Sequence, residues 1–261
     1  LPWQQWVVHD LCAIDASGKW VRKLAGATIA RQNGKTHLAA MRILAGLFLF
    51  DEMSIVAMSS NRGMARETFK KVAGIISKTP ELKNRTVLNR GEVGRWANGQ
   101  EEIVLKNGAE YRITAATRDG SRGLSADLLY IDELREISSE AWAAATYTTN
   151  AKPNAQTFVT SNAGDATSIV LSDLRTRALT TKNPAIGWYE WSADPKLKIT
   201  DRKAWQQANP SLGYLIDETV LENHVTTDDP DAIKTEMLCQ WIVSTESPWP
   251  DGAFEECQDT T

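Results

Sequence analysis

Two short groups of polar residues, far apart in the chain, carry side chains that can do chemistry. Gly34, Lys35 and Thr36 form the first group, and Asp132 and Glu133 form the second. A lysine in such a group binds the β and γ phosphates of a nucleotide, and the threonine hydroxyl binds Mg²⁺. An aspartate holds the metal while a glutamate activates the attacking water. Together the two groups predict a site that hydrolyses ATP with the help of Mg²⁺.

The first group lies between a predicted strand, residues 24–30, and a predicted helix, residues 37–50. Backbone N–H groups and the positive end of the helix dipole favour phosphate at such a turn. All six residues of the turn are therefore predicted to bind the nucleotide: Arg31, Gln32, Asn33, Gly34, Lys35 and Thr36. The turn departs from the usual GxxxxGK[ST] pattern, because Ile29 stands where the first glycine belongs. Alone, such a motif is more often a polar helix N-cap.

The acidic pair ends the apolar run LLYID, which predicts a buried central strand at residues 128–132. Ligands bind at the carboxyl edge of parallel sheets, where such a strand ends. We interpret Asp132 as the Mg²⁺ residue, acting through water or together with Thr36, and Glu133 as the base. The alternative is an ordinary strand end that is capped by acids. The phosphate-binding turn on another strand of the same predicted sheet favours the first interpretation.

A polar triplet, Thr160, Ser161 and Asn162, ends the next predicted strand, residues 156–161. Beside Asp132, such a triplet can sense the γ-phosphate by hydrogen bonding the lytic water or a neighbouring acid. In isolation it would be read as a turn.

Two arginines are candidates for stabilising the transferred phosphoryl group. Arg31 lies inside the phosphate-binding turn, and Arg122 lies in the loop that enters the acidic strand. A guanidinium at that group accelerates hydrolysis by roughly 10³ to 10⁵. The alternative for each is a solvated surface arginine.

The amino terminus offers a candidate adenine-binding side chain. Gln4 lies between Trp3 and Trp6. Its amide can hydrogen bond both donor and acceptor edges of adenine, and a tryptophan offers a stacking face. The same residues would also suit a helix start with core tryptophans.

The elements that position these residues alternate between strands and helices, which predicts an α/β fold with a mainly parallel sheet flanked by helices. Asn107 and Gly108 predict a hairpin turn, and we expect this hairpin as an antiparallel insertion at the sheet edge. Beyond residue 166, helical segments surround one strand-like piece, residues 187–192. We expect an ATPase core at 1–165, a small, mainly helical lid or linker subdomain at 166–246, and the start of a linker at 247–261.

Composition excludes several classes of protein. The net charge is −4, so any contact with nucleic acid must use a local basic patch. Cys12, Cys239 and Cys257 are widely spaced, which argues against a disulfide framework or a zinc site. No apolar run reaches the roughly 18 residues of a membrane span. We expect an intracellular, soluble protein without a membrane partner.

The order of the motifs resembles the large terminase subunit of tailed double-stranded-DNA bacteriophages. The resemblance rests on PWQ, then ARQNGKT, then RGLSADLLYIDE, then TSN. It continues in the predicted lid, where YEWSA, WQQANP and EMLCQW are similar to segments that follow the triplet in that family.

The resemblance implies a P-loop NTPase of the additional-strand, catalytic-glutamate type. It assigns phosphate and magnesium binding to Lys35 and Thr36, and metal binding and water activation to Asp132 and Glu133. The polar triplet would couple hydrolysis to motion. An arginine at the position of Arg122 is proposed in that family to act on a neighbouring subunit.

The resemblance also implies partners: double-stranded DNA, the portal protein of the procapsid, the small terminase subunit, and other copies in a pentameric ring, in the cytoplasm of an infected bacterium. Large terminases add a carboxyl-terminal nuclease with an acidic two-metal site. No such acidic cluster follows Trp249, so nuclease activity is not expected of these residues.

Two other functions stay open at this point. A helicase or translocase would share the ATPase core, but residues after 166 look too few and too helical for a second RecA-like domain. A nucleotide-binding regulator without hydrolysis would need no Glu133 beside Asp132.

Overall fold

The computed structural model describes residues 1–97, 99–117 and 119–242. Its helices are α1 (Pro2–Leu11), α2 (Lys35–Phe48), α3 (Arg62–Lys78), α4 (Pro80–Asn84), α5 (Ser139–Thr146), α6 (Ile169–Thr180), α7 (Arg202–Ala208), α8 (Glu218–Thr227) and α9 (Pro230–Ala232). Its strands are β1 (Leu24–Thr28), β2 (Ser54–Ser59), β3 (Leu88–Asn89), β4 (Glu92–Val93), β5 (Glu102–Val104), β6 (Glu110–Ala115), β7 (Leu128–Asp132), β8 (Gln156–Ser161) and β9 (Ile186–Glu190). Helix α9 continues into a π-helical turn, Ile233–Met237.

The main sheet has the order β5-β6-β2-β7-β8-β1-β9. All neighbouring pairs except β5 and β6 are parallel. Strand β8 lies between β1, which leads into the phosphate-binding turn, and β7, which ends in the acids. This is the additional strand of the expected type. The predicted α/β class, a mainly parallel sheet flanked by helices, is confirmed.

The predicted hairpin forms, but it is not an insertion. Strands β5 and β6 pair antiparallel, as Asn107 and Gly108 predict. Strand β6 then pairs parallel with β2 along its whole length, so it belongs to the main sheet. The reason is burial: Tyr111 of β6 is fully buried and contacts the ring of Phe69 on α3. Only β5 is an antiparallel edge strand.

Strand β9 also differs from the expectation, which grouped it with the lid. It pairs parallel with β1 and closes the other edge of the main sheet. Gly26 in β1 makes this possible, because a Cβ atom there would lie 2.3 Å from the Trp188 ring. The core sheet therefore extends beyond residue 165, the predicted end of the ATPase core.

Two apolar layers cover the sheet, one on each face. Helices α1, α2 and α3 pack on one face around Val7, Ile43 and Phe69. Helices α5 and α6 pack on the other, around Ala141 and Leu171. A separate, smaller cluster forms the core of the predicted lid: Ala193, Ala204, Trp205, Ala208, Ile216, Leu221, Ile233 and Leu238.

A buried ion pair joins α2 to the end of the sheet opposite the acids. Arg42 is 0% exposed and donates to both carboxylate oxygens of Glu52, at 2.6 and 2.8 Å. Its Nε donates to Gln156 Oε1 at 2.8 Å. The guanidinium also lies over the ring of Trp20. Because every charge here is paired, this cluster has a structural role.

No helix in the described part of the chain is both long and apolar enough to cross a membrane. Cys12 and Cys239 are free thiols. Cys257 and the predicted linker at 247–261 lie outside the described residues.

Candidate active site

The predicted phosphate-binding turn, residues 31–36, forms a tight loop between β1 and α2, which we call the phosphate-binding loop. Gln32 and Gly34 have φ angles of 61° and 99°, in the left-handed region that few residues other than glycine adopt. At Gly34 a Cβ atom would also lie 2.7 Å from Gln4 Nε2. The loop therefore requires glycine at this position. It leads directly into the N-terminus of α2, which favours anions.

Lys35 begins α2 and points at the sheet edge. Its Nζ donates to Ile29 O at 3.0 Å and to Asn162 Oδ1. Burial lowers the pKa of Lys35, and the nearby carboxylates of Glu133 and Asp132 oppose this effect. Because Asn162 and Thr160 at the end of β8 bind Lys35 and Asp132, the structure brings the ammonium and the acidic pair to one edge of the sheet.

Asp132 is held by a chain of hydrogen bonds from the interior. Its Oδ1 accepts from Thr160 Oγ1 at 2.7 Å and from the backbone N of Glu133 at 3.0 Å. Tyr130 OH lies 2.7 Å from the same Thr160 oxygen. A hydroxyl has one proton to give, and Thr160 gives it to Asp132, so Tyr130 must donate to Thr160. These bonds leave the other oxygen of Asp132 for a ligand.

Glu133 follows the strand in a left-handed conformation, with φ 50° and ψ 56°. The residue is only 8% exposed, and its Oε2 has no hydrogen-bond partner among the described residues. Arg135 Nε lies 3.8 Å from that oxygen. Burial raises the pKa of Glu133 above its ordinary value, while Lys35 opposes the rise. A buried carboxylate with a free oxygen and a raised pKa is suited to accept a proton from water.

Each residue of the polar triplet contacts a different part of the site. Thr160 binds Asp132, and Ser161 Oγ accepts from the backbone N of Arg135 at 3.2 Å. Asn162 accepts from Lys35 and donates its Nδ2 to Glu236 Oε2 at 2.8 Å. The triplet thereby links the acidic strand, the phosphate-binding loop and the lid.

Two residues of the site, Arg135 and Glu236, were not predicted. Arg135 Nη1 lies 2.7 Å from Glu236 Oε1, and Arg31 forms an ion pair with Glu236 Oε2. Arg31 N also donates to Glu236 O at 2.9 Å. The guanidinium of Arg31 therefore lies on a lid carboxylate here. Glu236 opens the motif EMLCQW, which was a usable signal, and it lies in a π-helical turn, a feature frequent at functional sites.

The amino-terminal residues lie beside the loop. Gln4 is buried and its Nε2 donates to Gly34 O at 3.2 Å. Trp3 is buried, whereas Trp6 is exposed and contacts the ring of Tyr189. Helix α1 begins at Pro2, so the predicted helix start is correct, but of the two tryptophans only Trp3 belongs to the core. A contact between Gln4 and adenine stays a prediction.

The metal-binding prediction rests on Thr36 and Asp132. Thr36 is partly buried in the first turn of α2. Within the described ranges, no group of three His, Cys, Asp or Glu side chains could hold a metal by itself. Mg²⁺ commonly takes one or two protein ligands and completes its shell with phosphate oxygens and water. The donor set therefore fits Mg²⁺ that arrives with a nucleotide.

Arg122 lies away from this cluster. Its side chain is 68% exposed, and its Nη1 lies 3.3 Å from Asp119 Oδ1. The structure does not bring it to the active site of its own chain. A role on a neighbouring subunit stays a prediction.

Residues 2–178 match the family model described as terminase large subunit, ATPase domain. The large terminase subunit of Enterobacteria phage HK97 is 28% identical over 196 residues, which cover 71% of this chain and 37% of that protein. The crystal structure of the HK97 large terminase has a TM-score of 0.81 and 24% identity, over 98% of this chain and 53% of that one.

The ATPase domain of the large terminase of Thermus phage P74-26 has a TM-score of 0.58 and 16% identity, over 90% of this chain and 96% of that one. A large terminase from a thermophilic bacteriophage, solved in complex with ADP, has a TM-score of 0.62 and 14% identity, over 92% of this chain and 53% of that one. These likenesses show the fold. The chain spans about half the length of the full-length structures it matches, or less.

Proposed function

Because the chain belongs to the family of terminase large subunit ATPase domains, we propose that it is the ATP-hydrolysing motor domain of a viral DNA-packaging terminase. The observation that carries the proposal is the convergence of Lys35, Asp132 and Glu133 at one edge of the sheet, where Asn162 binds Lys35 and Thr160 binds Asp132. At that edge, Glu133 Oε2 has no hydrogen-bond partner among the described residues. That combination suits phosphate binding and water activation together.

The loop residues 31–36 would bind the phosphates through backbone N–H groups and through the Lys35 ammonium. Thr36 and Asp132 would hold Mg²⁺, which when bound neutralises phosphate charge. Gln4, already against Gly34, would contact adenine. Glu133 would accept the proton of the attacking water.

Coupling to motion would run through Asn162 and Glu236. Asn162 contacts both Lys35 and the lid carboxylate of Glu236. A phosphate that draws Lys35 or Arg31 away would change how the lid is held. Lid movement would then push DNA. Arg31 would leave Glu236 for the phosphates, and Arg122 would complete the site of a neighbouring subunit.

The partners of the motor would be double-stranded DNA, the portal protein, the small terminase subunit and further copies in a ring, pentameric by resemblance, in the cytoplasm of the infected host. Lys and Arg side chains would contact the phosphates of DNA. The affinity for DNA would therefore depend on salt concentration but not on base sequence. Nuclease activity is not expected of these residues.

Two features disfavour the alternatives. The helicase alternative is disfavoured because residues 2–178 match the family model of terminase ATPase domains. Glu133 Oε2 has no hydrogen-bond partner among the described residues and lies 3.8 Å from Arg135 Nε, which suits a base that activates water better than a carboxylate in a protein that only binds nucleotide.

The decisive experiment measures ATP hydrolysis and ADP affinity for the wild type and for Lys35→Ala. We expect Lys35→Ala to lose both. Equal ADP affinity and equal turnover in the two proteins would refute the proposed function. Tripled salt should weaken DNA binding steeply while leaving ADP affinity nearly unchanged.

A further inference from the structure

The lid motif WQQANP, residues 205–210, has no role in the proposed mechanism, yet it leads into contacts with the phosphate-binding loop. We name residues 209–216 the lid loop. Asn33 of the phosphate-binding loop is 0% exposed, and its Nδ2 donates to Asn209 Oδ1 at 2.8 Å. Its Oδ1 accepts from Ser211 N at 3.1 Å, and its backbone O accepts from Ser211 Oγ at 2.8 Å. The lid loop thus binds both the side chain and the main chain of Asn33.

Asn209 connects this contact to the rest of the lid. Its Nδ2 donates to Trp205 O at 3.0 Å and to Met237 O at 2.9 Å. Met237 ends the π-helical turn that carries Glu236. One buried amide therefore joins the phosphate-binding loop, the end of α7 and that turn. Burying this amide costs little free energy, because both its oxygen and its nitrogen have hydrogen-bond partners.

The lid loop also covers the glycine of the phosphate-binding loop. Leu215 Cδ1 lies 3.5 Å from the position that a Cβ atom of Gly34 would occupy. Ser211 is itself fixed, because its Oγ accepts from Trp3 Nε1 at 3.0 Å. The phosphate-binding loop is thus held from outside by a segment more than 170 residues later in the chain.

The phosphate-binding loop needs such support. Gln32 has a φ of 61°, which disfavours a residue with a side chain, and Ile29 stands where the usual pattern has glycine. Asn33 precedes Gly34 and Lys35, so fixing Asn33 also fixes the direction of the following N–H groups. Preorganised donors raise affinity because less ordering is needed on binding.

We propose that Asn209 is a positioning residue that, with Ser211, holds the phosphate-binding loop in its nucleotide-binding conformation by acting through the side chain of Asn33. The inference rests on the proposed function, since it assumes that this loop binds nucleotide. It assigns a purpose to the WQQANP motif, whose Asn209 is the residue that reaches Asn33.

A double-mutant cycle tests the proposal through ADP affinity, measured by calorimetry well below the unfolding temperature. Asn209→Ala should weaken ADP binding about tenfold, the equivalent of one buried hydrogen bond. Adding Asn209→Ala to Asn33→Ala should weaken binding no further, because Asn209 acts through Asn33. Unchanged affinity in Asn209→Ala, or independent effects that multiply in the double variant, would overturn the proposal.

Asn154→Ala is the matched control for lost stability. Asn154 Oδ1 accepts from Trp20 N and from Lys23 Nζ, both at 2.9 Å, before β8 begins and so at the far end of the sheet. This variant loses two hydrogen bonds, one fewer than Asn209→Ala, but it should bind ADP like the wild type. Weakened ADP binding in the control as well would show that the loss reflects stability alone and would overturn the positioning role.

Ser211→Ala decides the matter if Asn209→Ala does not fold. It removes the bond to Asn33 O, and we expect several-fold weaker ADP binding; unchanged affinity would overturn the proposal. Lys35→Ala separates the two levels. Wild-type affinity together with wild-type turnover in Lys35→Ala would refute the proposed function itself. Loss of affinity in Lys35→Ala with normal affinity in Asn209→Ala and Ser211→Ala would refute only the positioning role.

Discussion

Lys35 of the phosphate-binding loop donates a hydrogen bond to Asn162, the last residue of the polar triplet after β8. A phosphate that binds Lys35 must therefore compete with an amide that also holds the lid carboxylate of Glu236. Two hydrogen bonds, through Asn162, thus connect Lys35 to Glu236 of the lid. This relationship leads to the first prediction.

Asn162→Ala should disconnect nucleotide binding from the lid. In the wild type, we expect ADP to change the amide hydrogen exchange of residues 233–237, because Asn162 contacts Lys35 and Glu236 at once. In the variant most of that change should be absent, although ADP still binds. Asn183→Ala, which removes an exposed turn amide, is the control. An equal ADP response in both variants would contradict the link.

Glu133→Gln should lower the turnover number by about 10² or more, because the amide cannot accept the proton of the attacking water. ADP affinity should change little. Steady-state hydrolysis and calorimetry measure the two quantities. Glu136→Gln removes a neighbouring, more exposed carboxylate and should keep near wild-type turnover. The assignment of Glu133 as the base fails if Glu133→Gln turns over at the wild-type rate.

The pH dependence of turnover should report the same carboxylate. Burial raises the pKa of Glu133 above its ordinary value of 4.5. Below that raised pKa the group is protonated and cannot act as a base, so the turnover number should fall as the pH drops through it. We expect the midpoint of this fall above pH 4.5, at saturating ATP. A midpoint at or below pH 4.5, with the protein shown to be folded by circular dichroism, would contradict the assignment of Glu133 as the base.

Glu52→Gln should strongly destabilise the fold without affecting the site. It leaves the Arg42 guanidinium buried without its counter-charge, and such losses amount to about 3–5 kcal/mol of the free energy of unfolding. Urea denaturation measures this value. Glu67→Gln, in the exposed pair with Lys70, should change stability by less than about 0.5 kcal/mol. Similar values for the two variants would mean that the buried pair is not needed.

Arg122 should matter only when subunits meet. The hydrolysis rate per wild-type subunit should rise with protein concentration, and Arg122→Ala should lower the rate at high concentration by roughly 10³. The exposed Arg177→Ala on α6 is the control. A wild-type rate that is high and independent of concentration would exclude a shared site.

Local sequence predicted the strands that carry the chemistry. The bounds of β7 and β8 agree with the prediction, because each is an apolar run that ends in polar residues. Strand β9 was grouped with the lid, because helical segments flank it in sequence. Its partner β1 lies far earlier in the chain, and the close approach of the Trp188 ring to Gly26 becomes visible only in three dimensions.

The same limit applies within the site. Lys35, Asp132 and Glu133 each follow a recognisable strand, so their convergence at one edge could be predicted from parallel topology. Glu236 is different, because its role depends on Arg31, Arg135 and Asn162 contacting it in three dimensions. The same holds for Asn209. The WQQANP motif is recognisable in the sequence, but nothing in the sequence indicates that Asn209 binds Asn33.

The hydrogen-bond chain from Tyr130 through Thr160 to Asp132 runs in one direction only. Tyr130 also belongs to the apolar layer under the sheet, where its ring lies 5.7 Å from that of Phe158. A substitution that alters the packing of that layer would tilt the Tyr130 ring and reorient the Thr160 hydroxyl. The hydrogen bond from Thr160 to Asp132 would then weaken. We therefore expect substitutions in the hydrophobic core, remote from any bound ligand, to change the affinity of Asp132 for magnesium at the edge of the sheet.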